Sequence, residues 1–345
     1  MLMRCAELIA PREFRLAEMT LAEPAPGEVQ VQVDAVGICG SDLHAWGEGT
    51  VGDTPNLYPM VLGHEPAGTI VKIGSGVSGF AVGDRGALEP ALYCYHCEFC
   101  SRGLYNVCAN IRFLSNPGYP GFFRERVNLP ATNFLPIPAS LSADLATIVE
   151  PLAVAMHSLK FAAVQPSETV AVFGAGPIGL LTIASLRGAG ITRIWAVEPL
   201  AHRREMAQQL GAIAAFPPEE ITSIVRDTGN LGVDCAIDCA AGAQTTNDAM
   251  RVVRNAGRVV ITGIHTGKFV PLEGSTMRRK EISIFNVRRS NDEPHAALEL
   301  LLAHPDWFAP LVTHVRDIDH VAEAFTIAGD YLDGVGKMVV RPQAK

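Results

Sequence analysis

The chain has 345 residues, more than one ordinary hydrophobic core holds, so two domains are expected. Apolar residues make up 48% and charged residues 19%, proportions typical of globular proteins. The net charge of −8 argues against a nucleic-acid partner, because phosphates would be repelled. No apolar run reaches about 18 residues and the N-terminus lacks a signal-peptide core, so we expect a cytoplasmic protein without a membrane span.

The beginning of the chain has the alternating pattern of β-structure. Residues 29–36 alternate apolar and polar side chains, and Pro24 and Gly27 mark a turn before them. Residues 66–90 continue the pattern, with glycines between short apolar runs. Many short strands with this punctuation predict a small, irregular β-barrel.

Three side chains between positions 39 and 65 are of the types that bind a catalytic zinc ion. Cys39 offers a thiolate, His64 an imidazole and Glu65 a carboxylate. Three protein ligands leave a fourth position open for water or substrate. Asp42 is a candidate partner for the second ring nitrogen of His64, since metal-bound imidazoles commonly donate to a carboxylate. The alternative, a buried thiol and an unrelated core histidine, stays open on these residues alone.

Proton-carrying and acidic groups accompany this segment. Ser41 and His44 lie a few residues after Cys39 and are candidates for catalytic proton transfer. Glu150 interrupts the otherwise apolar stretch 148–155, so we interpret it as a zinc ligand, direct or through water. The alternative for Glu150 is an acid at a helix N-terminus, stabilised by the helix dipole.

A second metal site is predicted by four closely spaced cysteines. Two-residue gaps let neighbouring sulfurs converge on one tetrahedral ion, and a longer gap returns the loop with the fourth. Four thiolates fill the coordination shell, so this zinc ion should be structural. The alternatives are four unpaired thiols, or a zinc ribbon that binds nucleic acid, which the acidic chain disfavours. The cysteines are Cys94, Cys97, Cys100 and Cys108.

The second half of the chain contains the pattern of a dinucleotide site. An apolar strand over 170–173 runs into G-x-G-x-x-G and then a helix, and these glycines let the backbone approach a pyrophosphate. The next strand ends at Glu198, whose carboxylate can accept both ribose hydroxyls. Six strand-like segments that alternate with helices predict a doubly wound parallel sheet. An α/β domain without a dinucleotide is the alternative.

The same segment indicates which dinucleotide binds. The carboxylate of Glu198 would repel a 2′-phosphate, which favours NAD over NADP. Arg203 and Arg204 weaken this preference, although they also fit the solvated face of a helix over 202–210. The candidate cofactor-binding residues are Gly174, Gly176, Pro177, Ile178, Gly179, Glu198 and Arg203.

Five motifs occur along the chain in a fixed order: Gly-Ile-Cys-Gly-Ser-Asp-Leu-His, Gly-His-Glu, the four-cysteine loop, Glu-Pro-Leu-Ala-Val-Ala-Met-His and Gly-Ala-Gly-Pro-Ile-Gly. In these motifs the chain resembles the zinc-dependent medium-chain dehydrogenase/reductase family over its full length. Within the family it looks most like the sorbitol, xylitol and arabinitol dehydrogenases. The resemblance implies a GroES-like catalytic domain, residues 1–153 and 288–345, split around a Rossmann domain, residues 154–287, with the active site in the cleft.

The resemblance also implies cofactors, partners and roles. It implies two zinc ions per chain, NAD, a small alcohol or polyol substrate, and a homodimer or homotetramer. Cys39 and His64 would hold the catalytic zinc, with Glu65 and Glu150 as candidates for the third ligand and the water partner. Arg288 falls where polyol enzymes place a hydroxyl-binding arginine.

Two positions depart from the sorbitol dehydrogenase pattern. Ala45 replaces an aromatic residue that lines the pocket in that enzyme, and Arg289 stands where it has a tyrosine. An L-threonine-type or simple secondary-alcohol dehydrogenase is therefore the nearest alternative. From a different class, the chain could be a nucleotide- or redox-sensing protein that has lost turnover.

Overall fold

The computed structural model describes residues 1–343 and divides them into two compact units. The first unit comprises residues 1–150 and the described residues from 294 onward, and the second comprises residues 151–293. The first division falls inside the helix Val149–Ala162, three residues before the 153 expected from sequence. The second division falls six residues after the expected 287.

The first unit is organised around the long strand Glu28–Gly37. Its valines Val29, Val31 and Val33 are completely buried, because the strand lies inside a mixed sheet. It pairs antiparallel with the strand Glu65–Ile73, which places Gly37 opposite Glu65. The predicted small β-barrel-like domain is confirmed, and its largest sheet has seven strands.

The last strand of the chain joins this sheet. Lys337–Arg341 pairs antiparallel with Glu28–Gly37, with Val340 opposite Val36. The pairing brings together segments about 300 residues apart in sequence. For example, Nζ of Lys337 donates a hydrogen bond to the carbonyl oxygen of Ile38. The strands of the unit are Leu2–Ala10, Glu13–Thr20, Glu28–Gly37, Thr50–Val51, Thr54–Pro55, Met60–Val61, Glu65–Ile73, Arg85–Leu88, Ala91–Leu92, Arg112–Phe113, Arg126–Pro130, Phe134–Pro136, Val312–Asp317 and Lys337–Arg341. Its helices are Gly40–Glu48, Glu98–Ser101, Ala143–Ala146, Pro294–Ala303, Pro305–Phe308 and Val321–Gly329.

The second unit is a parallel sheet with connecting helices, as predicted. Its first strand, Thr169–Phe173, is buried along its whole length, as expected for a strand covered on both faces. Later strands add on either side of it, so the strand order reverses there. In spatial order the strands are Ala214–Phe216, Arg193–Val197, Thr169–Phe173, Val233–Asp238, Val253–Ile261 and Ser283–Asn286. The helices are Val149–Ala162, Pro177–Gly188, Ala201–Leu210, Thr222–Asp227, Thr245–Val252 and Gly274–Lys280.

One helical stretch, Ala143–Ala162, is long and apolar enough to cross a membrane by length and composition. In the fold, 61% of its apolar window is buried inside the protein. Core helices of globular proteins meet the same criteria, so this stretch is weak support for a membrane span.

Candidate active site

The first candidate site is assembled by a buried carboxylate that joins two distant segments. The helix Gly40–Glu48 begins directly after Cys39, which occupies its N-cap position. Asp42, in the first turn, accepts hydrogen bonds from the backbone N–H groups of Cys39 and Gly63, both at 3.1 Å. Asp42 is 1% exposed. These bonds place the thiol of Cys39 beside the segment that carries the next two candidate ligands.

The three predicted ligands of the catalytic zinc lie together. The Sγ of Cys39, a ring nitrogen of His64 and a carboxylate oxygen of Glu65 lie within 4.8 Å of one another. His64 turns Nδ1 towards Asp42, at 3.3 Å, which leaves Nε2 for the cluster. Among residues 1–343, Oε1 of Glu65 is buried without a hydrogen-bonding partner. A buried, unsatisfied carboxylate oxygen beside a thiol and an imidazole fits a zinc ion.

The charges around the cluster suit a cation. Burial opposes ionisation of Asp42, but the charge of His64 and the two backbone hydrogen bonds keep the pKa of Asp42 below its usual value. Burial likewise opposes protonation of His64, yet Asp42 and Cys39 raise the pKa of the imidazole well above its usual value. The carboxylate of Asp42 and the thiol of Cys39 therefore favour a positive charge at the ring of His64, where a zinc ion would supply one.

The two predicted proton-transfer residues, Ser41 and His44, are placed differently. The hydroxyl of Ser41 lies 3.3 Å from Nε2 of His64. His44 is 30% exposed in its side chain, and its Nδ1 lies 2.9 Å from a carboxylate oxygen of Glu48. The structure therefore places Ser41 against the proposed metal ligands and His44 towards the surface of its helix.

Glu150 lies in the first turn of the helix Val149–Ala162, as its alternative interpretation required. It is outside the group of ligand atoms that fall within 4.8 Å. Burial raises the pKa of Glu150 to about 8, a shift that the charge of His64 opposes and the charge of Glu65 increases. The carboxyl group of Glu150 therefore interacts electrostatically with His64 and Glu65 of the cluster. Its role as a zinc ligand stays a prediction.

The four cysteines of the second predicted metal site converge. Their sulfur atoms lie within 4.8 Å of one another, with separations of 3.5 Å for Cys94–Cys108, 3.9 Å for Cys97–Cys108 and 4.0 Å for Cys94–Cys100. Zinc–sulfur bonds of about 2.3 Å in a tetrahedron require sulfur separations of about 3.8 Å. All four thiols are free, so the geometry fits a closed zinc site and not disulfides.

Hydrogen bonds to the sulfur of Cys94 support a thiolate at this position. The backbone N–H of His96 hydrogen-bonds to Cys94 and, as the largest contribution, lowers the pKa of that thiol to about 5. The side chain of Asn110 also donates to Cys94, at 3.6 Å. Thiolates are the form in which cysteine binds metal.

The glycine-rich loop has the close packing that a dinucleotide site needs. Gly174 has a φ of +86°, and a Cβ there would lie 2.8 Å from the Cβ of Ala240. At Gly179 a Cβ would collide with the carbonyl oxygen of Gly174. Gly176 caps the helix that starts with Pro177, so backbone N–H groups at this helix end are free to bind a phosphate.

Two side chains border this loop. Glu198 is 4% exposed and accepts hydrogen bonds from the backbone N–H groups of Ala175, at 2.7 Å, and Leu200, at 3.0 Å. Arg203 is 7% exposed, and its Nη1 lies 3.7 Å from where a Cβ of Gly176 would be. The prediction that Arg203 lies on a solvated helix face is therefore wrong, because the side chain is buried near Gly176. Its other assignment, as a cofactor contact, stays a prediction.

The remaining predicted site residues are placed as follows. Arg288 is exposed and follows the strand Ser283–Asn286, and Arg289 is half-buried. Ala45 is 1% exposed, in the same helix as His44. The role of Arg288 towards a substrate and that of Glu150 towards zinc or its water remain predictions.

Sequence reasoning missed two groups at the metal cluster. Lys337 is 3% exposed and forms an ion pair with Glu65. Ser115 donates its hydroxyl to Asp42 at 3.3 Å. The one available signal was a lysine at the start of the apolar run 338–340, a position where a charge is costly unless it is paired.

Family models match both units. The model described as "Alcohol dehydrogenase GroES-like domain" matches residues 25–139, and the one described as "Zinc-binding dehydrogenase" matches residues 177–303. The chain is 32% identical to a sorbitol dehydrogenase of Bacillus subtilis (strain 168) over 99% of this chain and 97% of that one. It is 38% identical to a probable D-xylulose reductase A of Emericella nidulans over 87% and 86% of the two chains.

Solved structures agree with this result. The 2R,3R-butanediol dehydrogenase of Bacillus subtilis superposes with a TM-score of 0.87 and 30% identity, over 99% of this chain and 100% of that one. The predicted fold class is confirmed, and the predicted cofactors, zinc and NAD, are those of this family. The chain belongs to the zinc-dependent alcohol dehydrogenases of the medium-chain dehydrogenase/reductase family.

Proposed function

We propose that the protein oxidises a secondary hydroxyl group of a polyol such as sorbitol or xylitol and transfers the hydride to NAD. The observation that carries this proposal is the convergence of Cys39, His64 and Glu65 within 4.8 Å around a buried, unsatisfied carboxylate oxygen. The names of the sorbitol dehydrogenase and D-xylulose reductase relatives support a polyol as the substrate class.

The side chains of the first unit supply positioning and proton transfer. Cys39, His64 and Glu65 would hold zinc, and Asp42 orients the ring of His64 through Nδ1, which leaves Nε2 available as a ligand. Zinc, when bound, acts as a Lewis acid that lowers the pKa of a coordinated hydroxyl group. The hydroxyl of Ser41, 3.3 Å from Nε2 of His64, is placed to take the proton of the alcohol.

His44 is proposed to pass that proton to solvent, since its ring is partly exposed and can bind a proton at either nitrogen. Glu150 is proposed to bind zinc or a water molecule beside it, and Arg288 to bind a further hydroxyl group of the substrate. NAD, when bound, accepts the hydride, which is chemistry that the protein itself does not provide.

The second unit is proposed to bind NAD through its glycine-rich loop. The N–H groups at the start of the helix Pro177–Gly188 bind the pyrophosphate, together with Gly174, Gly176 and Ile178. The carboxylate of Glu198 would accept hydrogen bonds from the ribose hydroxyls, and the cation of Arg203 lies near Gly176 of the loop.

A simple secondary-alcohol dehydrogenase is the second candidate. The small, buried side chain of Ala45 favours it, because an aromatic residue at that position lines the pocket of sorbitol dehydrogenase. The structural similarity to a butanediol dehydrogenase also favours it.

Metal analysis together with an NAD-coupled rate assay tests the proposal. We expect two zinc ions per chain and a higher kcat/KM on xylitol or sorbitol than on L-threonine or 2-butanol. Preference for 2-butanol would establish the second candidate. Absence of NADH formation across all four substrates by zinc-replete protein would favour a sensing protein without turnover.

A pair of cysteine variants separates catalysis from folding. Cys39→Ser is expected to lose turnover and one zinc ion while NAD binding, measured by calorimetry, stays intact. Cys5→Ser is the matched control, because Cys5 is buried in the same unit and its Sγ lies 3.6 Å from the carbonyl oxygen of Ala17, which a serine hydroxyl can also reach. Equal loss of activity and NAD binding in Cys39→Ser would mean that Cys39 is needed only for folding.

The eight cysteines are unpaired thiols, which supports a reducing compartment, and we propose a cytoplasmic homodimer or homotetramer. Light scattering on the purified protein measures the mass of the assembly against the 36.9 kDa of one chain. A mass equal to that of one chain would refute the oligomer.

A further inference from the structure

A buried ion pair lies at the edge of the metal cluster. Lys337 is 3% exposed and Glu65 is 1% exposed, and the Nζ of Lys337 forms an ion pair with Oε2 of Glu65. Nζ also donates a hydrogen bond to the carbonyl oxygen of Ile38, at 3.0 Å. The lysine thus contacts one residue adjacent to Cys39 and one of the proposed zinc ligands.

The backbone is shaped around this pair. Gly37 lies directly opposite Glu65 in the paired strands. A Cβ at Gly37 would overlap with Oε2 of Glu65 and lie 2.8 Å from Cε of Lys337. The absence of a side chain at this position is what lets the lysine reach the carboxylate.

The buried ammonium group of Lys337 needs the carboxylate of Glu65 as a partner. Buried ammonium groups are tolerated only when they are paired, because removing them from water costs several kcal/mol. The carboxylate of Glu65 therefore has two cations that compete for it, the ammonium of Lys337 and the zinc ion bound by Cys39 and His64. Oε2 is held by the lysine, while Oε1 remains free to face the metal.

We propose that Lys337 is a positioning residue that holds Oε2 of Glu65 away from the zinc ion, so that Glu65 offers the metal a single oxygen and the fourth coordination position stays open for the substrate hydroxyl. This inference rests on the proposed function, because the open position matters only for a site that binds an alcohol. Without the lysine, Oε2 has no other hydrogen-bonding partner among the described residues and would join Oε1 at the metal, where it would fill the fourth position. The site would then resemble a closed, structural zinc site.

A purely structural role predicts different behaviour. If Lys337 only anchors the last strand through the carbonyl of Ile38, its removal lowers stability and leaves the metal coordination unchanged. The two roles can be separated, because only the positioning role depends on the carboxylate of Glu65.

The test uses the full-length protein with cobalt in the catalytic site, whose visible absorption reports coordination without any turnover. Lys337→Met is expected to change the cobalt spectrum, to weaken binding of imidazole to the cobalt ion at least tenfold, and to slow zinc release to a chelator. In the steady state, kcat should fall more than KM changes. Adding Glu65→Gln to Lys337→Met should restore imidazole binding to the level of Glu65→Gln alone.

Matched variants make the result specific. Lys337→Arg keeps a cation and should retain the cobalt spectrum of the wild type. Lys280→Met removes a lysine whose Nζ donates to the carbonyl oxygens of Met250, Arg251 and Val253, and should leave the cobalt spectrum unchanged. The proposal is overturned if Lys337→Met leaves spectrum and imidazole binding unchanged, or if its effect is equally large in the Glu65→Gln background. Because these readouts need no alcohol, they stand even if the proposed polyol activity fails.

Discussion

Replacing Asp42 by asparagine tests how the cluster is held together. The two carboxylate oxygens accept the backbone N–H groups of Cys39 and Gly63, and one oxygen lies 3.3 Å from Nδ1 of His64. Asparagine has the same shape but only one acceptor oxygen, so its NH2 group must face one of the two backbone donors. A buried donor that loses its acceptor costs about 1–3 kcal/mol, which we expect as a loss of unfolding free energy.

The same change should weaken metal binding. Loss of a carboxylate partner behind a metal-bound imidazole typically lowers affinity about 10- to 100-fold, equal to about 1.4–2.7 kcal/mol. Competition with a chromophoric chelator measures the zinc affinity, and urea unfolding measures the stability. Asp34→Asn is the control, because Asp34 also accepts side-chain hydrogen bonds, from Thr69 and Gln32, but lies outside the cluster. A zinc affinity of Asp42→Asn within twofold of the wild type would refute the assignment of Asp42.

Three further predictions concern NAD, the structural zinc and pH. Gly174→Ala should abolish measurable NAD binding in calorimetry, because φ is +86° at this position and the new Cβ would lie 2.8 Å from the Cβ of Ala240. Unaltered affinity would contradict the assignment of this loop as the NAD site. Cys108→Ser should reduce the zinc content from two ions per chain to one and lower Tm, and a variant that kept both ions would show that Cys108 is not a ligand. The hydrogen bonds from Arg258 lower the pKa of Glu168 in the folded protein. The pair therefore stabilises the fold above a pH of about 4.3, the usual pKa of glutamate. This stabilisation is lost as pH falls through the lowered pKa of the folded protein. The unfolding free energy of the wild type should therefore drop more between pH 7 and pH 4 than that of Glu168→Gln, and parallel curves would refute the linkage.

Local motifs allowed much of the site to be predicted from sequence. The four cysteines converge because two-residue gaps leave the chain few other ways to place their sulfurs. Gly174 and Gly179 pack as the motif requires, since both their positions exclude a Cβ. In each case the residues that form the site lie within about fifteen positions of one another, so their spacing alone was enough to predict the site.

Contacts between distant segments could not be predicted in this way. Lys337 reaches Glu65 because its strand pairs with Glu28–Gly37, and nothing in the local sequence specifies that neighbour. Arg203 also fits a solvated helix face in the sequence, yet its side chain is buried near Gly176. Both failures have one cause, which is that burial of a charged group depends on tertiary packing and not on helical or strand periodicity.

The register of one strand pair connects the hydrophobic core to the chemistry of the metal cluster. Glu65 faces the cluster only because it lies opposite Gly37, and a slip of one residue would turn its side chain to the other face of the sheet. Val29, Val31 and Val33, completely buried in the same strand, oppose such a slip because it would expose them. The position of the carboxylate between a lysine and a zinc site therefore depends on a register that buried core residues of the same strand help to hold.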